Sequence, residues 1–421
     1  MPIMQSDSLN VIHARAAGLD VHKMQITATV RVARAGEDAE TFTEVFSALP
    51  SGLVALCRWL DGHRVSAAVM EATGVYWETV FDALESAGIE ALVVHAQHVK
   101  QIKGRKTDVA DSVWLARICQ FGLCRASFVP DMQFRDLRKL SRQRRKVVQL
   151  RSVLRTRVHQ ILDSAGVRVG GVLSDLFGVN GQRILKGLAE GHSREDILAS
   201  LSHHVRSRAE LLCDALSAHL SAQARFILQD QMQAFEQARQ RIATYDALIR
   251  QSLEPYRDRI DLLCTVPGID ESSACAILIE LGPDMGVFPS AQQCAAWAGL
   301  CPGNNQSAGK KRSGKTRKGN TFLRSLLIEC AHGAARTRDC QFNGYHKALT
   351  VRRGYKRATV ATAHKLLRTV YYMLRNGQVY RDPQTDYEKL MVKRNAPRWV
   401  RMLKKHGLDP ATGSAAPPRA G

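Results

Sequence analysis

The chain has 421 residues, 45% of them hydrophobic, and carries 60 Lys and Arg against 39 Asp and Glu, a formal charge of +21. That apolar content excludes a disordered basic tail and is enough for two or three domains with cores of their own. The charge excess favours a polyanionic partner, nucleic acid ahead of membrane, and no stretch reaches the uninterrupted apolar length of a membrane span.

Residues 1–17 form an extension without the basic and apolar regions of a signal peptide. The ten cysteines are scattered with no CxxC, which predicts reduced thiols in cytosol, mostly filling core, and no structural zinc site.

Residues 18–125 read as an α/β domain. GLDVHK supplies an apolar strand ending at Asp20. MQITATVRV alternates, with Met24, Ile26, Ala28, Val30 and Val32 predicted on one buried face. A third strand over TFTEVFSA and a helix over SGLVALCRWLDGH follow. VSAAVMEATG is a short strand ending at Glu71, then comes the amphipathic helix of VYWETVFDALESAG. IEALVVHA is a last buried strand and DVADSVWLARICQFG the closing helix.

Four acids fall at telling places in that order. Asp20 ends the first strand, Glu71 ends the fourth, and Asp108 with Asp111 open the last helix, three residues apart and so on one face. Residues at strand ends of an α/β sheet converge on one crevice. Carboxylates there make a hard oxygen cage suited to Mg²⁺, with Mn²⁺ as a substitute, and paired ions can serve phosphoryl transfer. Each acid alone has a plainer reading: a strand-end Asp caps the next turn, and Asp108 can cap its own helix. Glu78, inside the following helix, is a weaker fifth candidate. The joint pattern in so basic a chain favours metal, and the run of Lys100, Lys103, Arg105 and Lys106 beside it would steer a phosphate backbone toward the acids.

Residues 126–253 change texture to long helices without strands. Leu137, Leu140, Val147, Leu154, Val158 and Ile161 recur at helical steps, as do Leu228, Met232, Phe235, Ile242, Tyr245 and Ile249. The pattern predicts an antiparallel coiled-coil arm interrupted by the Gly-rich GVRVGGVLSDLFGVNG. From Arg135 to Arg157 there are ten Arg or Lys and one acid, Asp136. A solvated face mixes signs, so Arg142, Arg144, Arg145 and Lys146 are expected to lie on nucleic acid.

Residues 254–380 form a third unit. LCTVPGID, between two helical patterns, reads as a helix–hairpin–helix whose turn glycine, Gly268, would offer backbone amides to phosphate. Farther on, GLCPGNNQSAGKKRSGKTRKGN contains Lys310, Lys311, Arg312, Lys315, Arg317 and Lys318 without one acid. A plain reading is a basic loop gripping a backbone. The sharper one makes a serine a nucleophile toward phosphorus in a field that favours its alkoxide. ATAHKLLRTVYYMLRNG is a basic helix, and residues 381–421 are a basic tail ending in GSAAPPRAG, expected to be disordered.

Together GLDVHK, MEATGVYWE, KTDVADS, LCTVPGID and GLCPGNNQSAGKK resemble the DEDD insertion-sequence transposases, the insertion-sequence one-ten type related to pilin-gene invertases and known as bridge-RNA-guided recombinases. The resemblance runs from about residue 18 to 380. It implies a RuvC-like domain of RNase H fold, joined by a coiled coil to a small, mainly helical transposase domain. It also implies that Asp20, Glu71, Asp108 and Asp111 bind the metal. Counting from Pro302, Ser307 matches the family's catalytic serine, although Gln306 and Ala308 depart from the usual surroundings and Ser313 is the runner-up. The resemblance further implies DNA cleavage and rejoining through a phosphoserine link and an RNA encoded by the element. Partners would be element ends, target DNA and further copies of the chain, in a bacterial cytoplasm at the nucleoid. A hydrolytic RuvC-like nuclease and a non-catalytic nucleic-acid-binding remnant are the rivals.

Overall fold

In the computed structural model, which describes residues 10–33, 38–72, 74–94, 108–124, 126–303, 305–307, 310–313, 316 and 318–408, the chain divides into two units, residues 1–132 and 133–421. The first holds β1 (Arg15–Val21), β2 (Gln25–Val32), β3 (Glu40–Ser47), α1 (Pro50–Gly62), β4 (Ala67–Glu71), α2 (Trp77–Ser86), β5 (Glu90–Val94) and α3 (Asp108–Gln120). That is the predicted order of elements. The sheet runs β3-β2-β1-β4-β5, with β1, β2 and β3 antiparallel and β1, β4 and β5 parallel.

The sheet is covered on both faces, so its central strands are apolar on both. Ile26, Ala28 and Val30 of β2 pack with Leu56 and Leu60 of α1 and with Val80 and Leu84 of α2. On the other face Ala16, Ala67 and Val69 meet Leu115, Ile118 and Cys119 of α3. One residue expected on the buried face of β2 is not inside it: Met24 falls in the turn before the strand and is 58% exposed. Val32, half-buried at the strand's end, packs against that face's core. Thr29, on the opposite face, is buried instead because its hydroxyl bonds Ser112 Oγ of α3 at 2.8 Å.

The second unit is mostly helical. Its long helices are α4 (Met132–Ser164) and, after α5 (Val179–Glu190), α6 (Ala222–Leu253). They run antiparallel: Arg144 pairs with Asp246 at one end, Val147 and Leu154 share a cluster with Ala238 and Ile242, and Leu162 packs in one core with Leu228. The glycine-rich stretch between them is more than an interruption. With the residues that follow it up to Ser221, it builds a small helical cap whose core includes Leu176, Ile184, Ile197, Leu212 and Leu220.

Then follow α7 (Arg257–Cys264), α8 (Glu271–Leu281), α9 (Ala291–Trp297), the strands β6 (Asn305–Ser307) and β7 (Lys310–Ser313), α10 (Thr321–Arg336), α11 (Gln341–Arg353), α12 (Tyr355–Asn376) and α13 (Tyr387–Lys405). Two of these differ from the sequence reading. The serine stretch is a two-stranded hairpin rather than a loop, and the basic tail contains a five-turn helix, α13. The terminal GSAAPPRAG lies outside the described residues. Among the described residues no helix is long and apolar enough to cross a membrane. Of the cysteines, Cys119, Cys275, Cys294 and Cys330 are buried and Cys264 is exposed.

Candidate functional site

In the first unit the sheet register sets two of the acids side by side. Parallel β1 and β4 pair Leu19 with Met70, so the next residues, Asp20 and Glu71, are neighbours across the carboxyl ends of the two central strands. Asp20 is partly buried, its side chain 26% exposed, and its Oδ2 accepts from His22 Nε2 at 3.1 Å. Sequence reasoning passed over His22, although its place two residues on, in GLDVHK, is the available signal.

Helix α3 brings the second pair. Its carboxyl end meets the start of the strands, where Cys119 Sγ lies 3.9 Å from Ala67 O. Its middle crosses Gly18 so closely that a Cβ there would fall 2.2 Å from both Ser112 O and Ala116 N. The helix therefore runs antiparallel to β1. From Gly18 to Asp20 the strand advances about 6–7 Å, and from Ser112 back to Asp108 the helix advances about 6 Å. The amino end of α3, with Asp108 and Asp111, thus arrives at the end of β1 that carries Asp20. Asp111 is half-buried. The side chain of Asp108 lies outside the described residues, as do Lys100, Lys103, Arg105 and Lys106. Among the described residues no three His, Cys, Asp or Glu side chains form a group that could hold a metal. The donor set reached through the backbone, two strand-end carboxylates and a helix-start pair, is nonetheless all hard oxygen and suits a divalent cation such as Mg²⁺.

Gly18 is the position on which this convergence rests. Gly18→Ala is expected to force α3 off the sheet, since the opposing atoms are backbone and cannot rotate away. The cost should be roughly 2–3 kcal/mol of stability, read as a lower thermal midpoint, with the helix-start acids drawn away from Asp20 and Glu71. Unchanged stability would show that α3 is not anchored at Gly18.

In the second unit the serines are separated by the hairpin. The backbone register sets Ser307 opposite Lys310, next to the turn, and Ser313 opposite Asn305 at the far end. A bridge between Pro302 and Thr316 closes the base. Lys311 and Arg312 lie on β7; Lys315 and Arg317 lie outside the described residues, and Lys318 is exposed. Below the hairpin Gly319 is locked against α9, where a Cβ would fall 2.4 Å from Gly299 N and 2.5 Å from Trp297 O.

That base is tied to a buried carboxylate that sequence reading missed. Glu280 of α8, only 3% exposed, accepts from Arg142 Nε and Nη2 at 2.9 Å each and from Asn320 Nδ2 at 2.6 Å. Arg138 Nε lies 3.6 Å from the Oε2 that Arg142 Nη2 and Asn320 also contact, and burial pushes the Arg138 guanidinium down to about 10 with Glu280 opposing the shift. Asn320 in turn caps α10, accepting from the Phe322 and Leu323 amides at 3.1 Å. The available signal was a lone acid in the apolar run AILIEL.

The arginines of α4 are therefore placed differently from the expected open stripe. Arg142 is held by Glu280, Arg144 by Asp246 at 2.5 Å and Arg145 by Glu329 at 2.6 Å. Lys146 is exposed. The pattern of ten cations was local, whereas the acids that pair with them come from α6, α8 and α10. Gly268 does sit in a turn between α7 and α8 with φ +85°. One side of it is exposed, and the other packs on α10, where a Cβ would fall 2.4 Å from Ala334 N.

Comparison with known proteins covers both units. A family model described as a transposase, of the DEDD insertion-sequence IS110 type, matches residues 17–166. A second, described as transposase of the IS116/IS110/IS902 family, matches residues 260–347. A "Probable family 20 transposase" of Pseudomonas aeruginosa is 28% identical over 322 residues, spanning 74% of this chain and 85% of its own. The "Transposase for insertion sequence element IS1111A" of Coxiella burnetii is 25% identical over 325 residues, spanning 76% and 80%. A Thermus thermophilus RuvC structure aligns with 27% of this chain and 99% of its own, at 15% identity and a TM-score of 0.22.

Proposed function

Because this chain belongs to the IS116/IS110/IS902 family of transposases, we propose that it excises and inserts its own insertion sequence by cutting and rejoining DNA through a serine. The observation that carries this reading is the convergence of Asp20, Glu71 and the Asp108–Asp111 helix start at one end of the sheet. Those four acids would hold Mg²⁺, which when bound neutralises charge on the scissile phosphate and on the departing oxygen.

Ser307 then attacks phosphorus. The Oγ–P bond forms as the P–O3′ bond breaks; the hydroxyl proton passes from Oγ to water, and the strand departs with its 3′ oxygen, which takes up a proton from water to become the 3′ hydroxyl. Return of a 3′ hydroxyl to the phosphoserine reverses the step, so rejoining needs no ATP. Lys103, Arg105 and Lys106 guide the DNA to the acids, while Lys146, Lys310, Lys311, Arg312, Lys315, Arg317 and Lys318 and the Gly268 turn contact phosphate near the serine. Acids of one copy work with the serine of another, in a homo-oligomer guided by an RNA from the element. The α4–α6 pair would act as a coiled-coil arm.

Asp20→Asn, Glu71→Gln, Asp108→Asn and Asp111→Asn should each abolish strand cleavage while leaving the thermal midpoint near that of the parent, because the metal's charge balance is lost and the core is not. Cleavage should also stop in excess chelator and return with Mg²⁺ or Mn²⁺. Full activity in chelator would remove the metal from the mechanism.

A further inference from the structure

Unlike the arginines of α4, the cations of α13 are not neutralised by acids of neighbouring helices. Between Lys389 and Lys405 this helix carries seven Lys and Arg, all of them exposed. Among the described residues none of the seven is in an ion pair. At 100° per residue all seven fall within one half of the helix surface. The opposite half is apolar except for Asn395, with Met391 and Leu403 half-buried. The anchored part is the amino end: Asp386 caps it by accepting from Lys389 N at 2.8 Å, and Tyr387 packs edge-on against Tyr345 with centroids 5.4 Å apart.

We propose that the cationic half of α13 is a second, sequence-independent grip on duplex DNA, separate from the acids and from the serine hairpin. This rests on the reading of DNA as the substrate. A solvated helix face mixes signs, as α4 does once its partners are counted; this one does not. From Lys389 to Lys405 the helix advances about 24 Å, along which a duplex offers roughly 14 phosphates, at one per 1.7 Å. Charge complementarity is therefore available along its whole length. The helix also lies beyond both matched family ranges, which end at residue 347, so the grip is an addition to what the family models describe.

The test is binding of a labelled 30-base-pair duplex of arbitrary sequence by the full chain and by a quadruple variant, Lys393→Gln, Arg394→Gln, Arg398→Gln and Arg401→Gln, between 0.05 and 0.3 M salt. The variant should bind roughly 10–100-fold more weakly at 0.15 M salt, with a log–log salt slope shallower by about 3–4. Returning Lys at the three arginine positions, with Lys393 restored, should recover the slope, which a loss of helix packing would not. A variant as tight and as salt-dependent as the parent overturns the inference while leaving the proposed function standing. A parent that binds no duplex at all overturns the proposed function first. Loss confined to single-stranded RNA, to phosphatidylserine vesicles or to self-association in sedimentation would assign the face to that partner and overturn the assignment to DNA.

Discussion

Ser307→Ala should eliminate covalent protein–DNA adduct and strand exchange together, lowering the rate by roughly 10³-fold or more, while duplex binding stays within experimental error. One hydroxyl scarcely alters the charge of the hairpin, so binding and chemistry separate cleanly. Ser313→Ala should keep most of the activity. The hairpin supplies the reason: Ser307 is next to the turn and Ser313 at the opposite end of β7, about 10 Å apart along the strands, so a phosphate placed for one is out of reach of the other. Denaturing electrophoresis of labelled DNA with protein, followed by mass spectrometry of the linked peptide, reads the result directly. A peptide linked at Ser313 would move the nucleophile to the base of the hairpin. Cleavage by Ser307→Ala with free ends and no adduct would hand the reaction to metal-activated water and the hydrolytic rival.

The second large effect is on stability. Glu280→Ala leaves two arginines, one of them largely buried, without their carboxylate, and it strips Asn320 of a partner. Removing one member of a buried ion pair costs about 3–5 kcal/mol, because the remaining charge is desolvated without compensation. For a unit of this size that corresponds to a fall in thermal midpoint on the order of 10 °C. Glu280→Gln should lie between the two, since it keeps acceptors but not the charge. Glu329→Ala, which removes a 65% exposed carboxylate from Arg145, should change stability by less than about 1 kcal/mol. Calorimetry on the three variants checks the order. A Glu280→Ala protein as stable as the parent would mean that the arginines are solvated in solution and the network contributes nothing.

The first unit was legible because its signals are local. Apolar runs of strand length ending in Asp20 and Glu71, and an i, i+3 acid pair at a helix start, are read from neighbours in the chain. The exposure of Met24 was missed because alternation alone does not say where a strand begins, and the buried Thr29 needed Ser112, 83 residues away. The second unit hid more. KKRS has little strand propensity, so the hairpin is stabilised by its register and its closed base rather than by composition. The arginines of α4 looked open because Glu280 and Glu329 lie more than 130 residues downstream. In α13 the internal Pro397 argues against a helix at the level of single residues, while the segregation of cations from apolar side chains argues for one.

Helix α4 carries the arginines that reach Glu280 near its start and the packing of the cap near its end, and from Arg142 to Leu162 it advances roughly 30 Å. The cap is enclosed by its own core, so a substitution there need satisfy only that core and the ends of two helices. Mutational drift in the cap is thereby insulated from the hairpin. The stretch between the two family matches, residues 167–259, contains the cap and the helix that returns from it. A substitution or insertion in that segment should therefore leave the stability of the hairpin and of the Glu280 network at its base almost unchanged.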